Sequence, residues 1–257
     1  NIDIQDIPED EVEVGPNIIR YKVKLSPGVK QSKLESRTED IARSLALNYE
    51  PDIHRLSGTP YVAVDIAKSE RDIVNFDQFK DSLDGSYDLG ELPIIGGVEP
   101  SGSVVERKID EAPHMLIGGT TGSGKTVFMY NLLGSLYESV GPEGFELSVI
   151  DPKRTEFSPF QEDLVNLAED EVITNAKDAK ELIEDIVERE IDERTDELQE
   201  SYSTDIKGHN SKADSNEQLK PHLVVIDEYA DLLDQLRDDS GEFEQNIRMI
   251  AQRARNV

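Results

Sequence analysis

Cysteine is absent from the 257 residues, which excludes disulfides and thiolate metal sites. Histidine is scarce: His54, His114, His209 and His222 are scattered, and none pairs at the helical spacing of metal ligands, which argues against a zinc centre built from them. No apolar run approaches the roughly 20 residues that a membrane-spanning helix needs, and the start carries no signal-peptide pattern. Basic residues are few against their opposites: 27 Lys and Arg stand against 55 Asp and Glu, a formal net charge of -28. The acids run through every segment, including those with clear apolar periodicity, so neither an acidic tail nor a disordered composition describes them. They read as the acidic surface of a folded, halophilic protein, tolerable where molar salt screens charge over a few ångströms. On that reading the acidity reports habitat and says little about partners.

Position 1 is Asn, and the chain stops at Val257 within a helical pattern, so the sequence reads as a piece of a longer protein. A cytoplasmic location is expected, and a membrane anchor outside these residues is compatible with it.

What is present divides into two patterns. Residues 1–85 read as a small α+β subdomain. Val12 and Val14, then Ile19, Tyr21, Val23 and Leu25, alternate as strands do. A helix is predicted over Ser32–Leu47, with Leu34, Ile41 and Leu45 on one face and Ser32 with Glu35 as a capping box. Thr59–Ile66 reads as another strand and Asp72–Leu83 as a short helix. Between Arg20 and Arg43 seven basic residues face three acidic ones, the one clearly basic region, read equally well as a solvated face or a functional patch.

Residues 86–257 read as an α/β domain. Two short strands flank a Gly/Pro/Ser turn in 92–109. A strand over His114–Gly119 then runs into a glycine loop and a helix from Lys125. Phe145–Asp151 is a second strand. Residues 175–202 form a long amphipathic helix that buries Leu182, Ile186, Ile191 and Leu198. A polar loop follows, predicted to be flexible around Ser211–Gln218, before the continuous apolar strand Leu223–Ile226 and a last helix from Glu242. Strands alternating with helices predict a doubly wound parallel sheet.

Gly119, Gly124, Lys125 and Thr126 fit G-x-x-x-x-G-K-[ST], in the strand–loop–helix context that the motif requires. The glycines let backbone N–H groups of Gly119, Thr120, Thr121, Gly122, Ser123, Gly124, Lys125, Thr126 and Val127 surround phosphate, and the helix N-terminus adds partial positive charge. Lys125 would bridge the phosphates and Thr126 Oγ would ligate Mg²⁺. Asp227, closing the run Leu223–Ile226, suits Mg²⁺ as well, and Glu228 beside it suits polarising a water for attack on the γ-phosphate of ATP. Asp151 also ends a strand; Asp227 is preferred because the adjacent Glu supplies the base.

In residues and order, the chain resembles the motor region of the FtsK/SpoIIIE family of double-stranded DNA translocases, within the FtsK/HerA division of RecA-like P-loop ATPases. Residues 12–47 are similar to that family's α-subdomain, 113–126 to its nucleotide loop, and 149–157, 205–210, 221–233 and 250–255 to later segments. The resemblance implies a RecA-like parallel sheet behind a small α+β subdomain. It further implies a homo-hexamer with ATP between subunits and duplex DNA gripped through its backbone without sequence preference, for chromosome or plasmid segregation or for a defence or restriction system. Catalytic roles then fall to Lys125 and Glu228 and metal ligation to Thr126 and Asp227. Lys153 and Arg154 would couple nucleotide to channel, or form only a loop salt bridge. The γ-phosphate sensor and the arginine acting on a neighbour's ATP lie past Val257, and neither Arg253 nor Arg255 is assigned that part. The alternative is a pump of the same superfamily acting on protein, in secretion or conjugative coupling; the α-subdomain argues against it.

With the neighbour-acting residues outside it, the 257-residue chain alone should bind nucleotide weakly and hydrolyse it poorly. Robust turnover by the monomeric chain in a phosphate-release assay would contradict this.

Overall fold

The computed structural model describes residues 9–83, 85, 87–120, 122–169 and 171–254. Two compact units emerge, Asn1–Phe79 with Gly96–Val105, and Lys80–Ile95 with Glu106–Val257.

In the first unit, β1 (Val12–Val14), β2 (Ile18–Val23), β3 (Asp52–Arg55) and β4 (Val62–Ala67) form an antiparallel sheet in the order β1-β2-β4-β3. Alternation gives each strand one face to bury, and Val23, Leu34, Val62 and Val64 make the core. Arg20 stands opposite Asp65 across β2 and β4 and donates two hydrogen bonds to its carboxylate, at 2.8 and 2.7 Å. β3 escapes sequence reading because Ile53 is its sole aliphatic residue.

The helix expected over Ser32–Leu47 is two short ones, α1 (Gln31–Glu35) and α2 (Thr38–Ser44). The capping box is not formed: Ser32 lies inside α1, whose N-cap position is Lys30, and Glu35 accepts instead from Gln31 Nε2 at 2.7 Å. The break follows where Ser36 Oγ donates back to the Lys33 carbonyl at 2.9 Å, a hydroxyl competing with the helix ladder. The helix expected over Asp72–Leu83 is replaced by single 3₁₀ turns at Phe76–Gln78 and Lys80–Ser82; Ile73 and Val74 are exposed, so no apolar face holds a longer helix.

β5 (Pro93–Val98) and β6 (Val104–Lys108) pair as a ribbon. Its tip belongs with the first unit. A Cβ on Gly15 would lie 2.5 Å from Pro100 Cα, so only glycine permits the approach.

The second unit is α/β. Its helices and strands, in chain order, are α3 (Lys125–Ser139), β7 (Glu146–Ile150), α4 (Ala176–Asp185), α5 (Ile191–Glu200), α6 (Ile206–Asn210), β8 (His222–Ile226), α7 (Tyr229–Leu236) and α8 (Ser240–Arg253). β7 and β8 are parallel, with Leu147 opposite Leu223 and Ile150 opposite Ile226. Single bridges join Leu147 to Leu167 and Ile150 to Ile173 along the other edge of β7. Side chains alternate across this sheet. Leu147, Val149, Leu223 and Val225 join α3 in one core, while Ile150, Val224 and Ile226 join α4, α7 and α8 in another.

The long helix is continuous over 176–200, and Leu182, Ile186, Ile191 and Leu198 are all buried, as the periodicity predicts. Between α4 and α5 lies one π turn, Ile186–Glu190. The apolar spacing stretches to five residues between Ile186 and Ile191, and an i→i+5 turn keeps both on the buried side. The polar loop expected to be flexible is stitched to α6. Asn210 exchanges hydrogen bonds with the backbone of Leu219, both at 2.8 Å, and His209 Nε2 meets the Glu217 carbonyl at 3.0 Å.

One expected strand is not formed. Residues 114–119 join no ladder, and Leu116 is 94% exposed. A cavity of about 1110 Å³ separates this segment from β8, lined by Leu92, Ile117, Met129, Ile186, Val225 and Ile250 among others. Among the described residues the outer edge of β8 therefore has no partner strand, and 114–119 lacks the neighbour that would give it β pairing.

Phe243 of α8 is fully buried against Leu232 and the Tyr229 ring. Phe243→Ala should cost about 3–5 kcal/mol in urea unfolding; a loss under about 1 kcal/mol would mean that α8 does not seal this core.

Candidate nucleotide-binding site

The glycine loop takes its shape from conformations that L side chains resist. Gly122 and Gly124 have φ of 77° and 97°, and Gly124 is the N-cap of α3 with no side-chain cap. The loop closes through the Ser123 N–H on the Thr120 carbonyl at 3.0 Å. Gly122, Ser123, Gly124 and Val127 are exposed, Lys125 and Thr126 half-buried, and Thr121 lies outside the described residues. The first N–H groups of α3 are thus left to face an anion.

From the start of α3, Lys125 reaches the end of β8. Its Nζ donates to Asp227 Oδ1 at 2.8 Å and to Glu228 Oε1 at 3.0 Å, joining residues 102 and 103 positions apart. Hydrogen bonding to Asp227, with Glu228 behind it, raises the Lys125 pKa, so the ammonium stays charged. Glu228 is held below the usual carboxylate range by Lys125 first and Lys153 second, and so stays ionised. Lys153 Nζ lies 3.3 Å from the other carboxylate oxygen, Oε2. Glu228 adopts left-handed backbone angles, φ 48° and ψ 52°, at the N-cap of α7.

Asp227 is 1% exposed, and its Oδ2 is buried with no hydrogen-bond partner. That orphaned hard oxygen is the kind of donor that Mg²⁺ takes, so the residues present fit the ion. Asp151, the other strand-end acid, is fully buried and already committed. Its Oδ2 accepts from the N–H groups of Glu156, Phe157 and Ser158 and from Ser158 Oγ, at 3.0 to 3.2 Å. Burial pushes the Asp151 pKa up, but the hydrogen bonds from Ser158, Phe157 and Thr155 outweigh it and leave it below the ordinary value. Sequence reading missed this part because strand-end acids look alike until their neighbours are seen.

Other charged candidates sit elsewhere. Arg154 has a left-handed backbone and lines a separate hollow of about 530 Å³ with Asn175, Asp178 and Glu181. Arg253 donates to Asp192 and to the Val187 carbonyl, and Arg255 lies outside the described residues. In the basic stretch Arg20, Lys22, Arg37 and Arg43 are paired with Asp65, Glu13 and Asp40, whereas Lys24, Lys30 and Lys33 make no ion pair among the described residues.

Comparison with known proteins places the chain among its relatives. The FtsK/SpoIIIE family profile matches residues 86–257, and that of the FtsK alpha domain matches 6–68. DNA translocase FtsK of Corynebacterium glutamicum is 30% identical over 253 residues, 94% of this chain and 27% of the relative. The protein of the same description from Haemophilus influenzae is 30% identical over 272 residues, 96% of this chain and 50% of the relative. The chain thus spans half or less of the length of these relatives. Among solved structures, the conjugation coupling protein TcpA from pCW3, with ATPgS, superposes with a TM-score of 0.58 at 22% identity, over all of this chain and 68% of that one. The type VII secretion ATPase EccC of Thermomonospora curvata gives 0.51 at 21% identity, over 64% of this chain and 20% of that one. At that identity the likeness shows the fold alone, a RecA-like α/β domain.

Asp151→Asn would set an amide against N–H donors and should cost about 3 kcal/mol. The folded pKa of Asp151 is lowered, so its contribution is complete above the unfolded-state value of roughly 4 and is lost as pH falls through the folded value. Wild-type and variant stabilities measured against pH should stay apart above about pH 4 and converge below it; parallel curves would refute the assigned role.

Proposed function

The chain belongs to the FtsK/SpoIIIE family, and from that premise we propose that it is the motor portion of an ATP-hydrolysing translocase of double-stranded DNA. One observation carries the proposal: Lys125, from the glycine loop, converges on Asp227 and Glu228 at 2.8 and 3.0 Å from more than a hundred residues away. That convergence assembles a phosphate cation, a metal-binding acid and a base at one point.

The loop from Gly119 to Val127, Thr121 included, holds the triphosphate through backbone N–H groups. Lys125 exchanges its carboxylate partners for phosphate oxygens. Thr126 Oγ and Asp227 Oδ2 would hold Mg²⁺, which supplies charge neutralisation to the phosphates when bound. Glu228 orients the attacking water and accepts its proton on the carboxylate. Asp151 is excluded from the metal role because its oxygens are spent on the 155–158 backbone.

The FtsK alpha domain match over 6–68 favours duplex DNA over polypeptide as the cargo. DNA would be held through its phosphates, by a homo-hexamer acting in the cytoplasm. The net charge of -28 is consistent with work in concentrated salt. Lys24, Lys30 and Lys33, which make no ion pair among the described residues, are the cations of the basic stretch proposed to meet phosphate.

ATPase activity of the full-length protein at high KCl should rise with duplex DNA and not with unfolded polypeptide. Stimulation by polypeptide alone would favour the protein-pump alternative. Glu228→Gln should reduce turnover by a factor of about 100 or more while retaining bound ATP; turnover within a few-fold of wild type would remove Glu228 from the role of base.

A further inference from the structure

Glu228 has both carboxylate oxygens occupied by lysines: Oε1 by Lys125 at 3.0 Å and Oε2 by Lys153 at 3.3 Å. We propose that Lys153 is a positioning residue, holding Glu228 by Oε2 so that Oε1, once Lys125 departs to phosphate, faces the attacking water. The inference rests on the ATPase reading above and concerns how its base is aimed.

A half-exposed ion pair contributes little to stability, so the case turns on how each partner is presented. The Glu228 backbone is fixed in the left-handed region, and its carbonyl accepts from the Asp231 and Leu232 N–H groups at 2.9 and 3.1 Å. Such conformations persist in non-glycine residues only where the surroundings enforce them. What freedom remains lies in the side chain, and the two lysines restrict it.

Lys153 projects from a turn pinned on both sides. Before it, the Asp151 N–H donates to the Ile173 carbonyl at 2.8 Å, and Pro152 fixes its own φ. After it, the Arg154 N–H returns to the Asp151 carbonyl at 3.1 Å, and the Asp151 carboxylate gathers the N–H groups of residues 155–158. The fully buried Asp151 thus fixes the platform from which Lys153 reaches. Arg154, next in sequence, instead lines the separate 530 Å³ hollow, which divides the two basic residues by task.

Charge completes the argument. In the structure Lys125 serves both Asp227 and Glu228. When Lys125 turns to a triphosphate, Glu228 Oε1 loses its cation and Asp227 is left to Mg²⁺, so neither holds the Glu228 side chain in place. Lys153 is the cation that stays, on the oxygen Lys125 never used.

The test uses the full-length protein with two readouts: steady-state kcat and equilibrium binding of a fluorescent ATP analogue. Lys153→Met should lower kcat about ten- to a hundredfold, as misdirection of a reacting group by about 1 Å does, with binding within about twofold. Lys153→Arg, which keeps the cation, should recover most of the loss. Thermal stability should be nearly unchanged in both, because the pair is half-exposed. Wild-type kcat in Lys153→Met, or binding lost in step with turnover, would overturn the assignment while leaving the ATPase reading intact. A wild-type protein that binds ATP and never turns it over, even with duplex DNA, would defeat that reading and this assignment with it.

Discussion

The parallel register of β7 on β8 is the constraint from which the site follows. Ile150 lies opposite Ile226, and the Asp227 N–H continues the ladder to the Ile150 carbonyl at 2.9 Å. Asp151 and Asp227 therefore leave the sheet side by side at the same end. A slip of one residue would exchange the two faces of each strand, sending Leu223 and Val225 away from α3 and turning Asp227 away from Lys125. The apolar alternation that fills both cores is thus the same property that brings three charged groups together.

From that shared end two similar carboxylates diverge in use. Asp151 faces a turn rich in N–H donors and becomes structural, its charge stabilised by hydrogen bonds in spite of burial. Asp227 lines the cavity beside β8, keeps one oxygen without a partner among the described residues, and meets the lysine of the glycine loop. Elsewhere in so acidic a chain, many cations are paired. Lys207 lies against Glu91 and Asp110, and Lys180 among Glu184, Asp239 and Glu242. Glu91, like Glu228, receives two lysines, Lys108 and Lys207; Glu228 differs in that one of its two, Lys125, comes from the glycine loop.

Several elements were legible before any coordinates. The helix behind the glycine loop, the strands ending in Asp151 and Asp227, and the buried face of the long helix all follow from period and length, because each buries a continuous apolar stripe. Less could be read where the signal is local and polar. Ser32 and Glu35 have capping-box spacing, yet the helix begins upstream of them, and a hydroxyl at Ser36 ends it early. The loop after α5 reads as loose because its residues are polar, while the Asn210 and His209 side chains satisfy its backbone. Residues 114–119 are apolar enough for a strand, but a strand exists only through its neighbour, and across the cavity from β8 they have none.

By itself the sequence determined the chemistry available: which residues can bend a loop through positive φ, which carry charge at a strand end, and which stripes must be buried. These depend on side-chain type and on spacing along the chain, both of which are local. Tertiary structure alone decided which strand-end acid remained open, which lysine of the Lys153–Arg154 pair reached Glu228, and that Lys125 spans to β8. Those outcomes turn on separations of about 3 Å between residues up to 103 positions apart, set by strand register and by which N–H groups each turn leaves unsatisfied.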